Sequence, residues 1–155
     1  MLEWMLMPLR RYAEFSGRSR RKEYWSFFLL NMVVIIALLV LRSAVGGGES
    51  MMDAARGGGG VMAIYGSLLS GVGILIGVWW LATLIPNIAV NIRRLHDRDM
   101  SGWWYLGFIV GSMIPLLNIL VSIGFLVIMC LEGTQGTNRF GPDPKGGSTS
   151  SDVFN

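Results

Sequence analysis

Three uncharged, largely apolar runs divide this chain: Tyr24–Leu41, Val61–Ile92 and Gly102–Leu131. A helix of about 18 residues or more without a charge is long enough to cross the hydrocarbon core of a bilayer. One such run can be the core helix of a soluble domain, but three within 155 residues point to a membrane. The pattern predicts an all-α, polytopic helical membrane protein, with four membrane helices: two long ones, then a hairpin of two short ones. Residues 1–145 form one helical domain on this reading, and residues 146–155 a disordered tail.

The polar stretches set the elements. Met1–Leu9, with Trp4 among leucines and methionines, is too short to span and reads either as an interfacial segment or as a disordered terminus. Residues 10–23 carry six of the thirteen cations immediately before the first run, which marks that side as cytoplasmic. Tyr24 and Trp25 anchor the first span, read as uncleaved, and Arg42 marks its far end. The glycine-rich stretch 45–60 is a flexible connector, outside the cytoplasm because only Arg42 and Arg56 flank it. It lacks the Gly-Lys-Ser/Thr of a phosphate loop.

The second run is about 32 residues, nearly 50 Å as a helix, and must tilt, kink or project; Pro86 is the expected kink. Gly73 and Gly77, Ser67 and Gly71, and later Gly107 and Gly111 stand four apart, a spacing that lets helices approach closely. Asn87 and Asn91 fall on one helical face. In the third run Pro115 and Asn118 suggest a break, giving helices Trp103–Ile114 and Asn118–Leu131 with Asn118 as the cap of the second. A single kinked span is the rival reading. From Glu132 to Pro144 glycine and proline forbid a helix and predict a turn-rich element.

Composition agrees with the pattern. Apolar residues make up 52% of the chain, charged ones 15%, and the mean hydropathy is +0.52. A soluble domain would carry about a quarter charged residues. The net charge of +3 is explained by cations beside spans, and no basic-aromatic module supports nucleic-acid binding. Cys130 is the one cysteine. In an apolar setting it is an inert packing residue and says nothing of redox compartment.

Between the second and third runs lies a polar island, Asn91–Trp104, with the one histidine. Its Arg93-Arg94-Leu95-His96-Asp97 and Ser101-Gly102-Trp103-Trp104 stand between two other patterns. Upstream is Phe15-Ser16-Gly17-Arg18-x-x-Arg21-x-Glu23-Tyr24-Trp25. Downstream is Gly133-Thr134-Gln135-Gly136-x-Asn138-x-Phe140-Gly141-Pro142-Asp143. In this order the three resemble the bacterial inner-membrane family catalogued as domain of unknown function 805 (YhaH-like), over roughly residues 10 to 144. The resemblance implies a small membrane protein of four helices, multi-pass in the inner (plasma) membrane, with both ends cytoplasmic. It implies no activity. The connector is longer than a compact member needs.

If the hairpin forms, the three patterns share one membrane–water boundary. Arg18, Arg21, Arg93, Arg94 and Arg139 are then candidates for an anion or lipid site, because guanidinium forks suit phosphate and carboxylate. His96 with Asp97 is a candidate proton-transfer pair. The competing expectation, preferred here, is an ion-pair network: arginines orient spans and tie one pattern to another. One histidine and no cysteine pair make no usual zinc set, no serine has a triad, and no cofactor is expected. The preferred function is a non-enzymatic scaffold or small binding or transport unit whose basic cytoplasmic face meets membrane lipid or a protein partner. The alternative is a membrane enzyme acting on a phosphate-bearing lipid or another anion with His96 as acid–base. The glycine pairs allow a homo-oligomer but serve internal packing equally well.

Overall fold

A computed structural model of the chain describes residues 1–45, 56, 66, 69 and 71–146. Among the described residues five helices are delimited: α1 (Leu2–Arg10), α2 (Arg21–Ala44), α3 (Val72–Asp97), α4 (Trp103–Ser112) and α5 (Pro115–Cys130). No strand forms among the described residues; Asn138 and Gly141 pair in an isolated antiparallel bridge. The expected connector falls outside the described residues except for Val45 and Arg56. So does the expected tail except for Gly146.

The long helices are apolar outside as well as in. α2 contains an 18-residue window of mean hydropathy 2.4 that is 11% buried, and α3 one of 1.8 that is 22% buried. A soluble core helix with that composition would be mostly buried. Phe28, Met32, Val33, Ile36 and Val40 are exposed along α2, and Val78, Trp80 and Leu81 along α3. Such a surface is stable only in lipid. The protein is an all-helical membrane protein.

The chain forms two compact units, 28–85 and 1–27 with 86–146. In the first, the two long helices are joined by Trp79, whose indole donates to Asn31 Oδ1 at 3.2 Å. An apolar helix in lipid gains little from apolar contact, so one such polar tie is valuable. This explains why Trp79 sits mid-helix rather than at an interface belt.

The second unit holds the functional candidates. α1 is helical, with Pro8 buried and Arg20 stacked 5.6 Å over the Trp4 ring. Its α4 and α5 form the expected hairpin. Phe108 meets Phe125 edge-on at 5.0 Å and Tyr105 meets it at 6.1 Å. A Cβ on Gly111 would lie 3.0 Å from Val121, so close approach is needed there, while Gly107 faces open space. Partner numbers rise along one helix as they fall along the other, so the pair is antiparallel. The break lies earlier than Asn118. Pro115 occupies the first position of α5 behind Ile114, because a missing N–H is harmless in a first turn. Asn118 is not a cap; its amide closes the turn from inside the helix by donating to Ser112 O at 2.8 Å. The segment after α5 is turn-rich, as its glycines and prolines require, with Gly136 and Gly141 at positive φ.

Candidate functional site

The site is assembled where α3 ends. Helix α3 outlasts its apolar run, which stops at Ile92, and places Arg93–Asp97 on its last turn. It closes with a Schellman arrangement: Met100 N donates to Leu95 O and Asp99 N to His96 O, both at 3.0 Å. Asp99 supplies the left-handed residue, φ +58, that glycine normally provides. A non-glycine there is repaid by Arg139, which donates to Asp99 Oδ1 at 3.1 Å and to its carbonyl at 2.6 Å.

Asp97 is the node. It is 5% exposed. Oδ1 accepts from Arg18 Nε at 3.0 Å, and Oδ2 accepts from Arg94 Nη1. Its carbonyl takes Thr134 N at 2.8 Å and the Thr134 hydroxyl at 3.2 Å. Gly133 must be glycine, since a Cβ there would lie 2.0 Å from Asp97 Oδ2. Arg18 also donates to the carbonyls of Gly136, at 2.5 Å, and Thr134. One residue, through its carboxylate and its backbone carbonyl, therefore ties the first, second and third sequence patterns together.

Arginines also finish α5. The last four carbonyls of a helix have no partner within it. Here Arg94 donates to Met129 O at 3.4 Å and to Leu131 O; Arg21 donates to Cys130 O at 3.1 Å, and Arg98 to Glu132 O. Four consecutive carbonyls, the last two of the helix and the two that follow it, are met by three guanidinium groups, whose charge also suits the negative end of the helix dipole.

Arg93 is different. It is fully buried, and its Nη2 lies 3.0 Å from Glu23 Oε1, itself buried. The charges pair, yet the angle is not that of a hydrogen bond, and Nε and Nη1 find no acceptor among the described residues.

His96 and Asp97 are neighbours in sequence without forming a dyad. Adjacent helical residues face different ways. The Asp97 carboxylate is held by two arginines, and His96 Nδ1 faces Gly17 O at 3.2 Å. A carbonyl only accepts, so Nδ1 carries the proton and Nε2 of the neutral ring is an acceptor. Phe140 stacks on the ring at 3.9 Å. Burial pushes the imidazole below its ordinary pKa, helped by Arg139 and opposed by the bond to Gly17, and so favours the neutral form.

Beside this network lies a cavity of about 290 Å³ whose lining includes Arg18, Arg20, Arg21, Lys22 and Lys145 against Asp97 and Asp143. Five cations face two carboxylates; Glu132, paired with Arg21 and with Lys145 at 3.5 Å, stands nearby as a third. Arg20 donates to Pro144 O, while Lys22 is exposed with no ion pair among the described residues. Asp143 is held below its ordinary pKa by the backbone N–H of Lys145 and also by that of Gly136, so it stays charged.

Of the five arginines expected to meet an anion, Arg18 and Arg21 line this cavity. Arg93 and Arg94 are buried on carboxylates, and Arg139 serves Asp99. Arg20 and Lys22 belong to the basic run 10–23, whose density before the first span also suits anionic headgroups, while Lys145 carries no signal beyond its place in the tail. Trp103 and Trp104 are exposed, and Ser101 and Gly102 form the turn into α4. No group of three or more metal-ligating side chains occurs among the described residues.

Comparison with known proteins gives the geometry a setting. Residues 12–142 match the family described as Protein of unknown function (DUF805). The chain is 40% identical over 155 residues to Inner membrane protein YhaI of Escherichia coli strain K12, covering 95% of this chain and 99% of that one. It is 39% identical over 149 residues to Inner membrane protein YhaH of the same strain, covering 93% and 98%. No solved structure matches.

Proposed function

Because the chain belongs to this DUF805 family and is an inner-membrane protein, we propose that it binds a phosphate-bearing lipid headgroup in its basic cavity, as a non-enzymatic membrane unit. The observation that carries this reading is the charge excess of the lining. Arg18 is spent on structure, but Arg20, Arg21, Lys22 and Lys145 keep donors or charge for a ligand. A juxtamembrane cation contributes roughly 1 kcal/mol toward an anionic surface. The dedication of Asp97 to two arginines supports binding over acid–base catalysis, since the carboxylate expected to orient His96 is occupied.

The same reading gives a topology. The hairpin leaves from beside His96 and returns to Arg94, so both its ends belong to one boundary layer. At ten and sixteen residues, about 15 and 24 Å, its helices are short of a full ~30 Å crossing and suit a hairpin dipping in from one face. The N-terminal cations make that face cytoplasmic, for the third pattern as for the first two.

The test is lipid binding by the full chain in neutral phosphatidylcholine nanodiscs titrated with phosphatidylglycerol. Wild type is expected to enrich the anionic lipid, and more weakly as salt rises. The double variant Arg20→Ala/Lys22→Ala should lose roughly tenfold or more in affinity, in line with two juxtamembrane cations. Equal enrichment by the variant refutes the cavity as the site.

A further inference from the structure

A second cavity, about 550 Å³, lies on the other flank of α3, between its last turns and α4. Its walls include Ile88, Ile92, Leu106 and Ile109, apolar residues of two membrane helices, and its polar members include His96 and Ser101. Volume and character are those of a small-molecule site: about 300–1,000 Å³, largely apolar, with a few placed polar groups. Leu106 and Ile109 are 49% and 43% exposed, so the groove is continuous with the lipid-facing surface, and Trp103 stands at its mouth. What enters such a groove in a membrane protein is an apolar chain.

The polar end selects the terminus of that chain. With Nδ1 committed to Gly17 O, His96 Nε2 is an acceptor and makes no hydrogen bond among the described residues. It faces the Gly102 turn: a Cβ at Gly102 would sit 3.4 Å from Nε2 and 2.9 Å from Ile92. Glycine at this position keeps the space before the imidazole open. Ser101, next in sequence, accepts Trp103 N at 3.4 Å and keeps its own hydroxyl proton to give. One acceptor and one donor suit a hydroxyl, which can give to Nε2 and receive from Ser101. A charged phosphate would meet an acceptor here and no cation.

We propose that this groove binds a lipid alcohol: an apolar chain ending in a free hydroxyl, recognised by His96 Nε2 and Ser101. The site is separate from the basic cavity and does not depend on it.

The experiment uses the full chain in nanodiscs with a long-chain alcohol carrying a photoreactive diazirine, against its methyl ether as the donor-less control. Labelled peptides are mapped by mass spectrometry. Wild type is expected to be labelled within residues 88–92 and 103–109, several-fold more by the alcohol than by the ether. His96→Phe should abolish that preference and His96→Gln, which keeps an acceptor, should retain part of it. Ile109→Trp, which leaves the His96 contacts alone and fills the groove, should suppress labelling by both probes and decides the matter if His96→Phe fails to fold. Equal labelling by alcohol and ether in wild type, or undiminished labelling in Ile109→Trp, overturns the proposal and leaves ordinary annular lipid. Neither result bears on phosphatidylglycerol enrichment.

Discussion

At the scale of single residues, the pairing of cations decides what the boundary layer can do. Arg93 and Arg94 are the most conspicuous charges in the sequence and the least available in the structure, each buried against a carboxylate. Asp97 balances two arginines, so its removal strands both. Asp97→Ala is expected to cost about 3–5 kcal/mol, the usual penalty for breaking a buried pair, seen as a marked fall in thermal midpoint in detergent. Asp97→Asn should be milder because the amide oxygen still accepts. Midpoints unchanged in both would mean that Arg18 and Arg94 are held by carbonyls alone.

At the scale of elements, α5 ends where it does because arginines receive its carbonyls. Arg94→Met keeps the bulk and removes the donors. Amide exchange over the last turn of α5 should then quicken by about tenfold or more, the size expected for a single lost charge-assisted hydrogen bond. Exchange at Tyr105–Phe108 should stay put. The helices themselves were legible, because uncharged length is a strong signal: α2 covers the first expected run, α3 covers the second from Val72 on, its earlier part lying mostly outside the described residues, and the hairpin break falls within a few residues of its expected place. The sequence puts the break late because a proline within an apolar run suggests the end of a helix, whereas it opens one equally well, as Pro115 does. The patterns carrying the site were legible too, as arginines, an aspartate and glycines between apolar runs. Which cations were buried was not. That depends on Gly136 O, Thr134 O and Leu131 O, and backbone carbonyls leave no mark in a sequence. Gly133 did leave one, as a glycine in an ordered motif, but the carboxylate lying against it is visible only in the fold.

At the scale of the whole molecule, the expected topology follows from a hairpin that returns to its starting layer. A reporter active in one compartment, fused after Asn155, should signal from the cytoplasm; an external signal would make α4 and α5 a crossing and divide the third pattern from the first two. The network around Asp97 also imposes an order of events. Arg18 and Arg94 leave the ribosome well before the carbonyls of Met129, Leu131, Thr134 and Gly136 that receive them. Until those residues have been made, Asp97 alone among these acceptors receives the two guanidinium groups, and their remaining donors are unmet at the bilayer edge. A chain cut short before Met129 therefore carries charged donors that the finished chain has covered.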